Sequence, residues 1–241
     1  MKKTAIYVFH LVLFVLMHNM LSAQQKEILE TLSKVSAYYK AQAILNLEME
    51  YKMFMGYDGK QPTESYKGTL YKNGEVTQVK ILGSEVLHFP QAQIAISEEN
   101  KTLFYNKIDQ PTEQNLPTEV ASFLKFYEAT SLNHEGNILI VELKKKPNPL
   151  TIPYSKITLY INQNSYAIDK EVMFLATKVP FVDKDGKDVE DVGRIEVTFS
   201  SVFSSSEKMP KLEDYVILGP NNQVELAKAF KDYTILDQTK L

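Results

Sequence analysis

The sequence has no cysteine and no tryptophan, a single arginine (Arg194), four histidines and nine glycines. Each shortage removes a class of chemistry. Without cysteine there is no disulfide framework, no thiolate nucleophile and no thiolate metal ligand, so stability must come from the core. The same absence excludes the lipid anchor of bacterial lipoproteins, which is attached to a cysteine just after the signal. The glycines form neither Gly-x-Gly-x-x-Gly nor Gly-x-Ser-x-Gly, so there is no phosphate-cradling loop and no nucleophile elbow. His10 and His18 fall in the N-terminal apolar run, and His88 and His134 stand apart, unlike the clustered ligands of a zinc site. Lysines are scattered, with Lys144-Lys145-Lys146 the one run, and the net charge is −3, so nothing recommends nucleic acid as a partner. No cofactor, metal or enzymatic activity is expected. Counting alone leaves open a Ser-His-Asp triad built from distant positions.

The N-terminus reads as an address. Met1-Lys2-Lys3 supplies the positive end, Ala5 to Met17 the apolar core, and Leu21-Ser22-Ala23 a cleavage site. An uncleaved anchor is the alternative, but the run is shorter than the ~20 residues that span a bilayer. Residues 1–23 are thus expected to be removed, leaving 24–241 as one periplasmic, non-lipidated domain.

What is abundant is alternation. In Ile44 to Met55, Leu45, Leu47, Met49, Tyr51, Met53 and Met55 alternate with polar residues, a period of two and therefore a strand. Tyr66–Lys72, Val76–Leu82, Val86–Phe89, Gln93–Ser97 and Thr102–Tyr105 repeat the pattern, separated by Asp58-Gly59, Asn73-Gly74, Gly83 and Glu98 to Lys101. Asn-Gly is a hairpin signal, since a type I′ turn needs positive φ at both central residues. The stretch is an antiparallel meander, apolar on one face.

Two helices flank it. Lys26 to Tyr39 places Ile28, Leu29, Leu32, Val35 and Tyr39 at helical spacing, and Leu116 to Ala129 does the same with Val120, Phe123, Leu124 and Tyr127, with Pro117 in its first turn. Strands resume at Asn137–Leu143, Ile157–Ile161, Ala167–Leu175 and Arg194–Ser200, giving about ten or eleven in all. Phe181 to Gly193 reads as an acidic loop. Within it, Asp183-Lys-Asp-Gly-Lys-Asp188 has a partial likeness to a calcium loop, but Gly186 comes too early and strands, not helices, flank it, so a hairpin turn is the better reading.

The order of these elements, with the helix Ile28-Leu29-x-x-Leu32-Ser33-x-Val35-Ser36-x-Tyr38-Tyr39, the strand Gly68-x-Leu70-Tyr71-Lys72, and Ile96-Ser97 followed by Leu103-Phe104-Tyr105, resembles the LolA-like periplasmic carriers of outer-membrane lipoproteins, particularly Bacteroidetes-type forms. The likeness covers residues 24–130. It implies an incomplete, strongly curved antiparallel half-barrel, α+β but mainly β, with helices over its concave apolar face. It also implies acyl chains of lipoproteins as cargo, an inner-membrane donor and an outer-membrane acceptor. One departure is plain. Well-studied carriers close their lid on an arginine of the sheet, whereas Arg194 lies on a late strand.

Taken together, these features lead to a monomeric carrier or binding protein for a lipid or acyl chain. Its expected lining is Leu45, Leu47, Met49, Tyr51, Met53, Leu70, Ile81, Phe89, Ile96 and Phe104 from the sheet, with Phe123 and Tyr127 from the second helix. A closed core is the alternative for each, and a one-residue slip would exchange the faces. A non-enzymatic envelope interaction or secretion-accessory protein, with the same fold and a filled interior, is the second reading.

Overall fold

Period-two sequence becomes strand throughout. The computed structural model describes residues 24–108, 120–147, 152–201, 209–220 and 223–238. The signal-like run, the start of the second helix (116–119) and the Ser204–Lys208 stretch lie outside the described residues.

Helix α1 occupies residues 24–41. It leads into β1 (Ile44–Met55), β2 (Glu64–Asn73), β3 (Val76–Ile81), β4 (Ser84–Phe89), β5 (Ala92–Ser97) and β6 (Thr102–Lys107). Helix α2 (Val120–Phe126) precedes β7 (Tyr127–Glu135), β8 (Ile138–Lys145), β9 (Tyr154–Asn162), β10 (Ile168–Leu175), β11 (Val179–Val182), β12 (Asp188–Asp191) and β13 (Gly193–Ser201). Last come β14 (Val216–Leu218), β15 (Val224–Leu226) and β16 (Thr234–Asp237). Among the described residues the main sheet has twelve strands in the order β16-β6-β5-β4-β3-β2-β1-β13-β10-β9-β8-β7. The β11–β12 and β14–β15 pairs stand as separate two-stranded sheets.

Among the described residues there are sixteen strands rather than ten or eleven. The excess lies in the short C-terminal strands β14, β15 and β16 and in two further differences. The stretch Phe181–Gly193, read as an acidic loop, contains the end of β11 and the whole of β12, while Asp183–Asp188 is the hairpin turn expected there, with Asp183 Oδ1 accepting the N–H groups of Asp185 and Lys187, both at 2.9 Å. The second helix ends at Phe126, and Tyr127 opens a strand instead of closing a turn. Tyr127, Ala129 and Leu132 are buried, and the whole of β7 pairs with β8, so the long-range ladder overrides a helix-like local pattern.

The chain divides into two compact units. One comprises the described residues up to Tyr39, Met55–Asp58, and Val120 to Ile195. In it α1 presents Ile28, Thr31, Leu32, Val35 and Tyr39 to the interior, while Leu29 stays about half exposed. Its polar ties run to the same unit. Lys34 Nζ donates to the Tyr166 hydroxyl (3.0 Å), the Tyr39 hydroxyl accepts the Ile168 N–H (2.9 Å), and Glu27 lies 3.5 Å from His134. Arg194 donates to the Tyr57 carbonyl at 2.8 Å.

The other unit comprises Lys40–Phe54, Gly59 to Ile108, and the described residues from Glu196 onward. It is the expected meander, antiparallel from β1 to β6, with β16 added in parallel to β6. Its turns differ from expectation in one respect. Asn73 pairs with Val76, so the loop is Gly74-Glu75 and only Gly74 has positive φ, the pattern of a turn with glycine first. The two-positive-φ turn instead joins β3 to β4 through Leu82 (φ 52) and Gly83 (φ 66).

Candidate functional site

Residues directly opposite in a ladder share a face, and faces alternate along each strand. The unbroken registers of β1 to β6 therefore fix the face of every side chain in the meander. Leu47 is opposite Leu70, then come Val79, Val86, Ala95, Phe104 and Leu236, one from each successive strand. This is a continuous apolar row across seven strands. It is deeply buried at Leu47 (4% exposed) and Leu70 (0%), half-buried in the middle, and open at Phe104 (37%) and Leu236 (44%).

Rows that are polar from β4 onward border it on both sides of the same face. One runs Lys72, Thr77, His88, Gln93, Asn106, the other Ile81, Ser84, Ser97, Thr102, Thr234 after Met49 and Gly68. Thr77 is 1% exposed and its hydroxyl has no hydrogen-bond partner among the described residues. A buried, unsatisfied hydroxyl is costly and calls for a physical reason. Directly opposite, His88 is half-buried, and burial holds its pKa below the ordinary value, so the imidazole is neutral at neutral pH.

Gly68 makes the approach of β2 to its neighbours possible. A Cβ there would come within 2.7 Å of the Lys80 carbonyl oxygen and 3.4 Å of the Tyr51 ring. Tyr51 lies over this gap and its hydroxyl reaches the Met49 sulfur at 3.4 Å.

The expected lining residues divide accordingly. Leu47, Leu70 and Phe104 are in the row, and Leu45, Met49, Tyr51, Met53 and Ile81 share its face. Alternation of burial weakens along β1 after Met49, and Phe54, on the opposite parity, is the buried residue near its end. Phe89 and Ile96 lie on the other face. They belong to a closed core with Leu87, Ile94, Leu103 and Tyr105, capped by Leu212, Tyr215 and Val216. Phe123 and Tyr127 are in the other unit, Phe123 on α2 and Tyr127 on β7, their rings 6.4 Å apart edge to face, and the Tyr127 hydroxyl donates to the Tyr154 carbonyl at 3.0 Å. Missed by sequence reasoning were Val79, Val86, Ala95 and Leu236. The signal for Val79 and Val86 was Leu82-Gly83, which sets the β3–β4 register once recognised as a two-residue turn.

The sequence matches no protein-family model and no curated sequence. Among solved structures, the chain is similar to a conserved protein from Thermus thermophilus (10% identity, 88% of this chain and 99% of that one, TM-score 0.44). It is also similar to a LolA superfamily protein from Nitrosomonas europaea (13% identity, 71% and 90%, TM-score 0.33). A third is a Vibrio parahaemolyticus domain named for outer-membrane lipoprotein sorting (9% identity, 78% and 95%, TM-score 0.35).

Among the described residues, no helix is long and apolar enough to cross a membrane. What the row face offers is an apolar strip with hydroxyl, amide and imidazole groups along its margins.

Proposed function

We propose that this protein is a periplasmic binding or carrier protein for the acyl chain of a lipid or lipoprotein, and that the chain lies across the strands along the Leu70–Val79–Val86–Ala95–Phe104 row. The single observation that carries this reading is the row itself, continuous over seven strands, flanked by the apolar Leu45, Met49 and Ile81 at its β1–β3 end and by polar positions from β4 onward. Each methylene laid on it gains about 0.8 kcal/mol from burial. The idle Thr77 hydroxyl would donate to the carbonyl of an ester or amide at the chain's polar end. No bond is made or broken, so the protein acts as a carrier and not as an enzyme. The resemblance of residues 24–130 to LolA-like carriers supports the same reading, with residues 1–23 removed on export, a monomeric product, and membrane proteins that load and unload it.

The test is uptake of a fluorescent fatty-acid probe. Val86→Glu should abolish uptake while leaving the thermal midpoint close to that of the parent. Absence of uptake by the parent protein itself would overturn the reading. A second reading, an envelope interaction protein, is favoured by Ile217 and Leu218, 52% and 51% exposed on β14. It predicts no extractable lipid, no probe uptake and loss of partner binding in Ile217→Ser.

A further inference from the structure

The opposite face of β1 to β4 carries a cavity of about 610 Å³, lined entirely by residues of the meander unit. Its side chains on that face include Glu48, Glu50, Lys67, Thr69, Lys80 and Glu85, with Glu98 closing it at the end of β5, and Glu48, Lys67, Thr69 and Lys80 are exposed to solvent at its mouth. The registers set Lys67 opposite Glu50 and Lys80 opposite Glu85, the arrangement that normally gives cross-strand ion pairs. Neither pair forms. Glu50 Oε2 instead accepts from Lys52 Nζ at 2.9 Å, and Glu85 Oε1 accepts from the Tyr215 hydroxyl at 2.9 Å and from Gln78 Nε2. Both carboxylates are taken by other donors, and two ammonium groups are left in one cavity with no ionic or hydrogen-bonding partner among the described residues.

Thr69 is directly opposite Lys80 and two residues along β2 from Lys67. Two ammonium groups and a hydroxyl thus stand at adjacent lattice positions of two strands, separated by about 5–8 Å, with flexible lysine stems able to converge. That is a donor set for a tetrahedral oxyanion. On the far side of Thr69, Glu48 has no partner among the described residues either, and it would repel a bare anion while attracting an ammonium group. A ligand that satisfies all four groups carries both charges close together.

We propose that this cavity binds a phosphoryl group joined to a short ammonium-bearing arm, of the phosphoethanolamine type, with the phosphate on Lys67, Thr69 and Lys80 and the ammonium on Glu48. The site is on the face opposite the apolar row and does not rest on acyl-chain binding.

The full-length protein is titrated with O-phosphoethanolamine and, separately, with inorganic phosphate, followed by ³¹P NMR. The parent should bind O-phosphoethanolamine. Lys67→Gln/Lys80→Gln should weaken that binding at least tenfold without moving the thermal midpoint, and Glu48→Gln should weaken it while leaving inorganic phosphate unaffected. Co-sedimentation with phosphatidylcholine vesicles, with and without phosphatidylethanolamine, distinguishes the sources. Lysine-dependent capture by the phosphatidylethanolamine vesicles alone assigns a lipid headgroup, whereas binding in solution assigns the free compound. No binding of either probe at millimolar concentration, binding unchanged in the double variant, or inorganic phosphate bound as tightly as O-phosphoethanolamine would each overturn the proposal.

Discussion

Tyr51 and Gly68 are a matched pair. The ring of one lies in van der Waals contact, 3.4 Å, with the position a Cβ on the other would take, while the Lys80 carbonyl oxygen stands 2.7 Å from that same position. An aromatic ring covering a strand glycine restores the packing the glycine lacks, and the bare Cα of Gly68 is what lets the Lys80 carbonyl of β3 come so close to β2.

Gly68→Ala should therefore destabilise the meander unit. The backbone oxygen of Lys80 cannot turn away as a side chain would, so the strands must shift, at a cost of about 1–3 kcal/mol. Urea denaturation would read this as a lower midpoint with an unchanged slope.

Leu82→Asn should act in the opposite sense. Leu82 has φ 52 in a two-residue turn and is 61% exposed, so its side chain gains little from packing. The left-handed region costs a branched residue about 1–2 kcal/mol, and Asn-Gly is the favoured pair for such a turn. The thermal midpoint should rise.

Leu87→Ala separates the two faces of β4. Leu87 is fully buried in the core closed by Leu212, Tyr215 and Val216, whereas neighbouring Val86 is in the row. A buried leucine cut to alanine costs about 2–5 kcal/mol. Stability should fall by that order, while probe uptake below the unfolding transition stays at the parent's level, the reverse of Val86→Glu.

Glu171 should make the other unit less stable as pH rises. It is 3% exposed, one of its carboxylate oxygens has no hydrogen-bond partner among the described residues, and burial pushes its pKa from 4.5 to about 8. The folded state thus holds a proton that the unfolded chain releases. Below about pH 4.5 both states are protonated and there is no penalty. Between about 4.5 and 8 the penalty grows by about 1.4 kcal/mol per pH unit, and above 8 it is constant. The phenols of Tyr39 and Tyr154, its titratable neighbours, are themselves raised by burial and stay neutral through this window. Urea midpoints at pH 5, 7 and 9 should fall in the parent and fall less in Glu171→Gln.

Much of this architecture was legible from period and punctuation. The six meander strands and the α1 stripe of Ile28, Leu32, Val35 and Tyr39 follow from local spacing. Other features depend on partners distant in sequence. Tyr127 satisfies a helical pattern as well as a strand pattern, and only pairing with β8 decides between them. Phe89 and Ile96 look like any other apolar residues of the meander, but the hairpin registers place them on the far face, where the C-terminal segment packs on them. Hydrophobicity marks a residue for burial without saying which surface will bury it.

The parallel pairing of β16 with β6 also governs the order in which the chain can mature. Thr234 lies opposite Thr102, and Leu212, Tyr215 and Val216 cap the core that β4, β5 and β6 begin. Until those late residues emerge, the β6 edge offers unpaired backbone groups beside Leu103 and Tyr105, a template for another chain. Contacts so far apart in sequence form slowly. The interval between exposing that edge and sealing it is the period of greatest aggregation hazard, and a chaperone that holds the meander would act then.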